Sequence, residues 1–126
     1  MKVGISNWNG RVSPVFDVAR RLLLADIEDT REIGREERAI EEMQPALRAK
    51  RLLDLGVSVL ICGAISGPLE QMLVSSGVRV IPQTCGPVED VLQAFVTGRL
   101  TEQAFLMPGC CGRRRRLRGG RRRGRP

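Results

Sequence analysis

Histidine and tyrosine are absent from this sequence, and aromatic residues make up only 3% of it, as one Trp and three Phe. Without histidine the commonest general base, the commonest zinc ligand and every Ser-His-Asp or Cys-His mechanism are excluded. So few aromatics give no platform for stacking bases, which argues against single-stranded nucleic-acid recognition of that kind and requires an aliphatic core. No run of 18 apolar residues occurs, so no membrane-spanning helix is expected. The opening residues, Met1-Lys2-Val3-Gly4-Ile5-Ser6, alternate as a strand does and lack the apolar stretch and cleavage site of a secretory signal. The expectation is a cytoplasmic chain whose four cysteines (Cys62, Cys85, Cys110 and Cys111) are buried thiols or metal ligands rather than disulfides.

With 126 residues, 42% hydrophobic and 28% charged, there is enough for one domain and little else. The formal net charge of +7 is unevenly placed. Residues 113–126 hold nine Arg and no acid, whereas the rest carries 12 basic and 14 acidic side chains, a balance of −2. A mildly acidic domain with a cationic string attached is expected.

The hydropathy pattern reads as β, β, β, α, β, α, β, α. Val3 and Ile5 mark a first strand, and the Asn- and Gly-rich stretch 7–13 reads as a loop. Residues 22–28 and 32–39 form a hairpin, the second arm charged enough to be an exposed edge. Pro45 to Leu55 is a helix with Ala49, Leu52 and Leu53 on its inner face. Val57 to Cys62 is an apolar run suited to a strand covered on both sides. Gly67-Pro68 opens a second helix with Leu69, Met72 and Leu73 inward, Val78 to Ile81 is a short strand, and Gly86-Pro87 opens a third helix with Val88, Val91, Leu92 and Phe95 inward. The expected fold is α/β with three layers: a mixed five-stranded sheet, an N-terminal antiparallel hairpin outside the first strand, and parallel strands joined by helices, a ribonuclease H-like arrangement. It spans residues 1–100, followed by a connector (101–112) and a disordered Arg/Gly tail (113–126).

Ligands of such sheets gather at the carboxyl ends of the parallel strands. Here those ends are Ser6-Asn7, residues 62–67 and residues 82–86, which brings Cys62 and Cys85 to one edge beside two helix N-termini. A small anionic ligand with soft metal character suits that combination, with the commonplace alternative that Cys62 is merely a small core hydrophobe. The adjacent thiols of Met107-Pro108-Gly109-Cys110-Cys111-Gly112 are a second candidate for a soft metal or iron–sulfur species, or else an exposed Cys pair. The Arg run offers charge alone, to nucleic acid, another anionic partner or solvent. A two-metal nuclease is poorly supported, because the first strand contains no acid and Asp26 and Glu28 fall at the far end of a hairpin arm.

Asn9-Gly10-Arg11-Val12-Ser13-Pro14-Val15-Phe16-Asp17, together with residues 61–68 (Ile-Cys-Gly-Ala-Ile-Ser-Gly-Pro) and residues 77–81 (Gly-Val-Arg-Val-Ile), resembles the dinitrogenase iron-molybdenum cofactor biosynthesis family over about residues 1–100. The resemblance implies a small non-enzymatic domain that binds or carries iron–sulfur or iron–molybdenum clusters or their precursors, exchanging them with donor or acceptor proteins. It also implies Ser13, Phe16, Gly63, Ser66 and Gly67 as cofactor-binding positions. Where this family often reads Ser-Pro-His-Phe-Gly, this chain has Ser13-Pro14-Val15-Phe16-Asp17, so the His expected as a cluster ligand is replaced. Ligation then falls to Cys62, Cys85, Cys110 and Cys111.

Overall fold

The computed structural model describes residues 1–98; the connector with Cys110 and Cys111 and the Arg run lie outside the described residues. Strand β1 (Lys2–Trp8) turns into a two-residue strand β2 (Arg11–Val12), and a 3-10 turn at Phe16–Val18 leads to the hairpin β3 (Arg21–Glu28) and β4 (Arg31–Ala39). Helix α1 (Pro45–Asp54), strand β5 (Val59–Ile61), helix α2 (Gly67–Ser75), strand β6 (Arg79–Ile81) and helix α3 (Val88–Val96) follow. The sheet order is β4-β3-β1-β5-β6, with β2 paired to β1 off that path. β1, β5 and β6 are parallel, β3 and β4 antiparallel outside β1. The layered α/β class and the strand order are those expected from sequence.

The strand count is six and not five, and the ribonuclease H-like description fits only loosely, because residues 7–13 are not a plain loop. Asn9 and Gly10 both adopt positive φ (53° and 83°), the geometry of a two-residue hairpin turn. The Asn7 side-chain oxygen accepts the Gly10 N–H at 2.9 Å and closes the turn, and Asn7 and Trp8 pair with Val12 and Arg11. A strand this short has no room for a hydropathy period.

Alternation along the strands divides the core in two. Val3, Ile5, Leu23, Ala25, Val59 and Ile61 pack on one face of the sheet against Val88, Val91, Leu92 and Ala94 of α3. Leu22, Leu24, Leu60 and Cys62 lie on the other face with Ala49 and Leu52 of α1 and Leu69 and Leu73 of α2. Three inward assignments change. Leu53 and Met72 are 41% and 37% exposed, on an open groove between α1 and α2. Phe95 is only partly buried at the margin of its cluster. In α1 the missing inner position belongs instead to Arg48, whose side chain is fully buried. The β4 edge is exposed along its whole length. It is tied back to α3 by Arg35, which donates to Glu89 and Glu32.

Candidate functional site at the carboxyl edge of the parallel strands

Residues 13–19 lie as a strap across the carboxyl end of β5. The Ser13 N–H donates to the Ser6 carbonyl at 3.1 Å, the Ala64 N–H to the Pro14 carbonyl at 2.8 Å, and the Phe16 N–H to the Ala64 carbonyl at 2.7 Å. Val15 and Ala64 therefore form a parallel bridge that continues the sheet past β5. Gly63 is required for that approach: a Cβ there would sit 2.5 Å from the backbone oxygens of both Ser13 and Pro14.

The strap is fastened at two further points. Arg48 reaches up from α1 and its Nη1 donates to the carbonyls of Phe16 (3.1 Å) and Ala19 (2.7 Å), while its guanidinium lies 5.4 Å from the centre of the Phe16 ring. No carboxylate forms an ion pair with Arg48 among the described residues. Burial pushes its pKa down, and the charges of Asp17 and Glu42 pull it back up. On the opposite side of the strap, Asp17 Oδ1 accepts the Ser66 N–H at 2.8 Å, beside the N-terminus of α2.

The helix tips expected to face an incoming anion are thus already engaged by the chain. Asp17 places a carboxylate beside α2. At α3 the first N–H, that of Val88, donates to the Gly10 carbonyl at 2.9 Å, and Glu89 and Asp90 supply negative charge in the first turn.

Among the resemblance-derived positions, Ser13 and Phe16 are buried strap residues, Gly63 is the close-approach glycine, Ser66 is the N-cap of α2 and Gly67 its first residue. Cys62 follows β5 directly and is sealed among hydrocarbon side chains, 0% exposed. Desolvation, reinforced by the charges of Glu70 and Asp17, pushes its thiol pKa far up. A thiol so held is a core side chain and an unfavourable metal ligand. Cys85 is half-buried in the loop after β6, next to Thr84, whose N–H donates to the Cys62 carbonyl at 3.0 Å. The two cysteines do share one sheet edge. No group of three His, Cys, Asp or Glu side chains that would hold a metal ion occurs among the described residues.

Beyond the strap lies an open cleft of about 500 Å³ lined in part by Asn7, Trp8, Ser13, Val15, Arg20 and Arg21. Trp8 is 60% exposed at its margin. Sequence reasoning did not single out Arg48, Trp8 or Arg20. The one available signal was an Arg at a position of α1 that falls on the Ala49–Leu52 side, and it is ambiguous because long cationic side chains ordinarily reach out to solvent from such places.

Residues 1–98 match the family described as dinitrogenase iron-molybdenum cofactor. The chain belongs to that family. The strap and residues 61–68 hold two of the three segments on which the sequence resemblance rests, and the third, residues 77–81, runs into β6. Among solved structures, the chain is similar to PH0822, with 24% identity and a TM-score of 0.74 over 79% of this chain and 91% of that one. It is also similar to the orange protein of Desulfovibrio gigas in its apo form (20% identity, TM-score 0.67, 83% and 94% covered). MJ0327 of Methanocaldococcus jannaschii gives 21% identity and a TM-score of 0.63 over 79% and 90%. At these identities the neighbours establish the shared fold. No curated protein matches. No helix among the described residues is long and apolar enough to cross a membrane.

Proposed function

We propose that this member of the dinitrogenase iron-molybdenum cofactor family binds or carries a metallocluster of iron–sulfur or iron–molybdenum type, or a precursor of one, without catalysing a reaction. The observation that carries the reading is a coincidence of place: two of the three segments that carry the family resemblance, residues 9–17 and 61–68, meet as paired backbone at the carboxyl edge of the parallel strands. The first of them, through Ser13, Pro14 and Val15, lines a cleft together with Arg20 and Arg21. Clusters coated with sulfide or thiolate carry negative charge, and guanidinium groups attract such cargo without needing to ligate it.

The described donor set does not by itself make a ligand shell, because imidazole is absent and Cys62 is sealed. Direct ligation in this reading comes from Cys85 and from the Cys110-Cys111 pair, and the partners are proteins that deliver the cluster or accept it. The alternative of a nucleic-acid partner at the Arg run finds no support in the family or its structural neighbours.

Anaerobic reconstitution of the full chain with iron and sulfide, and separately with molybdate, tests the proposal by metal content per chain. Bound metal that falls on Cys85→Ser or on joint Cys110→Ser and Cys111→Ser substitution, and persists in Cys62→Ser, is the expected result. A colourless, metal-free product under both conditions overturns it.

A further inference from the structure

The cleft beyond the strap combines exposed apolar side chains with charge of one sign. Trp8, Val15 and Val18 are 60%, 41% and 60% exposed, and all three line it. Arg20 and Arg21 line it as well, and no Asp or Glu among the described residues does. Arg21 is paired with Glu37, whereas Arg20 makes no ion pair among the described residues. This positive charge is local, because outside the Arg run the chain carries 12 basic and 14 acidic side chains. The backbone that presents the apolar residues is held in place. Trp8 ends β1 and pairs with Arg11 across the tight turn at Asn9-Gly10, and the Gly10 carbonyl accepts the Val88 N–H of α3. Val15 is bridged to Ala64, and Val18 lies between Phe16 and Ala19, whose carbonyls Arg48 holds. Contacts offered on fixed backbone lose little freedom when they are covered. At Val15, where the family often has His, this chain sets an apolar side chain on the cleft. Exposed Trp and Arg around an aliphatic patch form the composition of the energetic centre of a protein interface. A single indole offers no run of stacked bases, and two valines have nothing to give a phosphate.

We infer that the cleft is the docking site of an acidic protein segment, whose aliphatic side chains cover Trp8, Val15 and Val18 and whose carboxylates meet Arg20 and Arg21. The inference rests on the cargo reading for the partner's task, delivering or accepting the cluster, and adds the chemistry by which that partner is recognised. Carboxylates docked there compete with an anionic cargo for the same guanidinium groups, so a partner bound in this way favours release of the cluster.

Trp8 is the only Trp in the chain, so its fluorescence reports on the cleft and not on the Arg run. The probe is an end-blocked pentapeptide of alternating Glu and Leu, titrated into the full chain. A peptide with Gly in place of each Leu carries the same charge and serves as the comparison. The Leu peptide is expected to move Trp8 emission to shorter wavelength in a saturable way. The Gly peptide, which the Arg run attracts equally, is expected to leave it in place. Val18→Asp and Arg20→Glu, each folded by circular dichroism, are expected to weaken the response about 10-fold. Val74→Asp makes the same apolar-to-acid change at an exposed position of α2 outside the cleft and is expected to alter nothing. The inference is overturned if the Leu peptide produces no shift, or if the Gly peptide or a single-stranded oligothymidylate produces an equal one. A shift that follows protein concentration without any peptide gives the cleft to a second copy of the chain and overturns it too. Its failure is separable from that of the cargo reading. Metal retained on reconstitution with no peptide response removes the docking role alone. A peptide response in a chain that retains no metal removes the carriage role alone.

Discussion

Cys62 shows how one environment decides between two chemistries available to a single side chain. Its place at the end of β5 suits a ligand, but the same place puts it among Phe16, Leu22, Leu60 and Leu69 in one apolar cluster. The thiol pKa in the folded chain is raised above the ordinary 9.0, chiefly by desolvation. A raised folded-state value means that the folded chain holds this proton more tightly than the unfolded one. The associated stability is complete below pH 9.0 and is lost progressively as pH rises past it. Urea denaturation is therefore expected to show a midpoint that falls above pH 9.0, and Cys62→Ala, at a cost of about 1 kcal/mol for the small cavity, is expected to flatten that dependence. An unchanged slope in Cys62→Ala would show that another group is responsible. Arg48 is the counterpart: a charged residue where helical spacing calls for an apolar one, kept buried because two carbonyls and an aromatic face receive it.

Elements meet at this site through backbone pairing as well as through the Arg48 and Asp17 side chains. The strap behaves as an irregular strand laid beside residues 63–64, and the β1–β2 turn reaches α3 through the Val12–Gly86 and Val88–Gly10 backbone bonds. Packing of this kind tolerates no Cβ at the closest approach. Gly63→Ala forces carbonyl oxygens from 2.5 Å to beyond contact distance and is expected to destabilise the fold by about 1–3 kcal/mol. The displaced strap would also show faster amide exchange at Phe16 and Ala64 than at β1 residues such as Ile5. Equal protection at all three would mean that the strap moves as one with the sheet. By contrast Gly67, whose added Cβ would meet nothing within 4 Å, is expected to accept Ala without such loosening.

At the scale of the whole molecule, charge and fold are separate assets. Removing residues 113–126 takes the net charge from +7 to −2, so the shortened chain is expected to lose its retention on a cation exchanger at pH 7. Its metal content after reconstitution is expected to equal that of the full chain, because the cleft, Cys85 and the Cys110-Cys111 pair are all kept. Loss of metal together with charge would place the cargo on the Arg run. The two faces of the sheet carry different duties as well. The α3 face packs aliphatic strand residues against α3, whereas the α1–α2 face also holds Arg48, Ser6 and Cys62.

The layer order, the parallel β1-β5-β6 arrangement and the family were legible in the chain itself. They follow from apolar periodicity, from Pro and Gly at helix ends and from short motifs, all of which are local in sequence and act over one element at a time. The second arm of the β1–β2 hairpin, the inward Arg48, the sealed Cys62 and the Asp17–Ser66 bond were decided only by the tertiary structure. The Arg48 and Asp17 bonds join atoms 32, 29 or 49 residues apart, the hairpin's second arm is a strand of two residues, and Cys62 is sealed by residues of several elements. Whether a thiol is desolvated or a helix tip is taken is a property of what packs over it, and no pattern along one segment encodes what another segment brings.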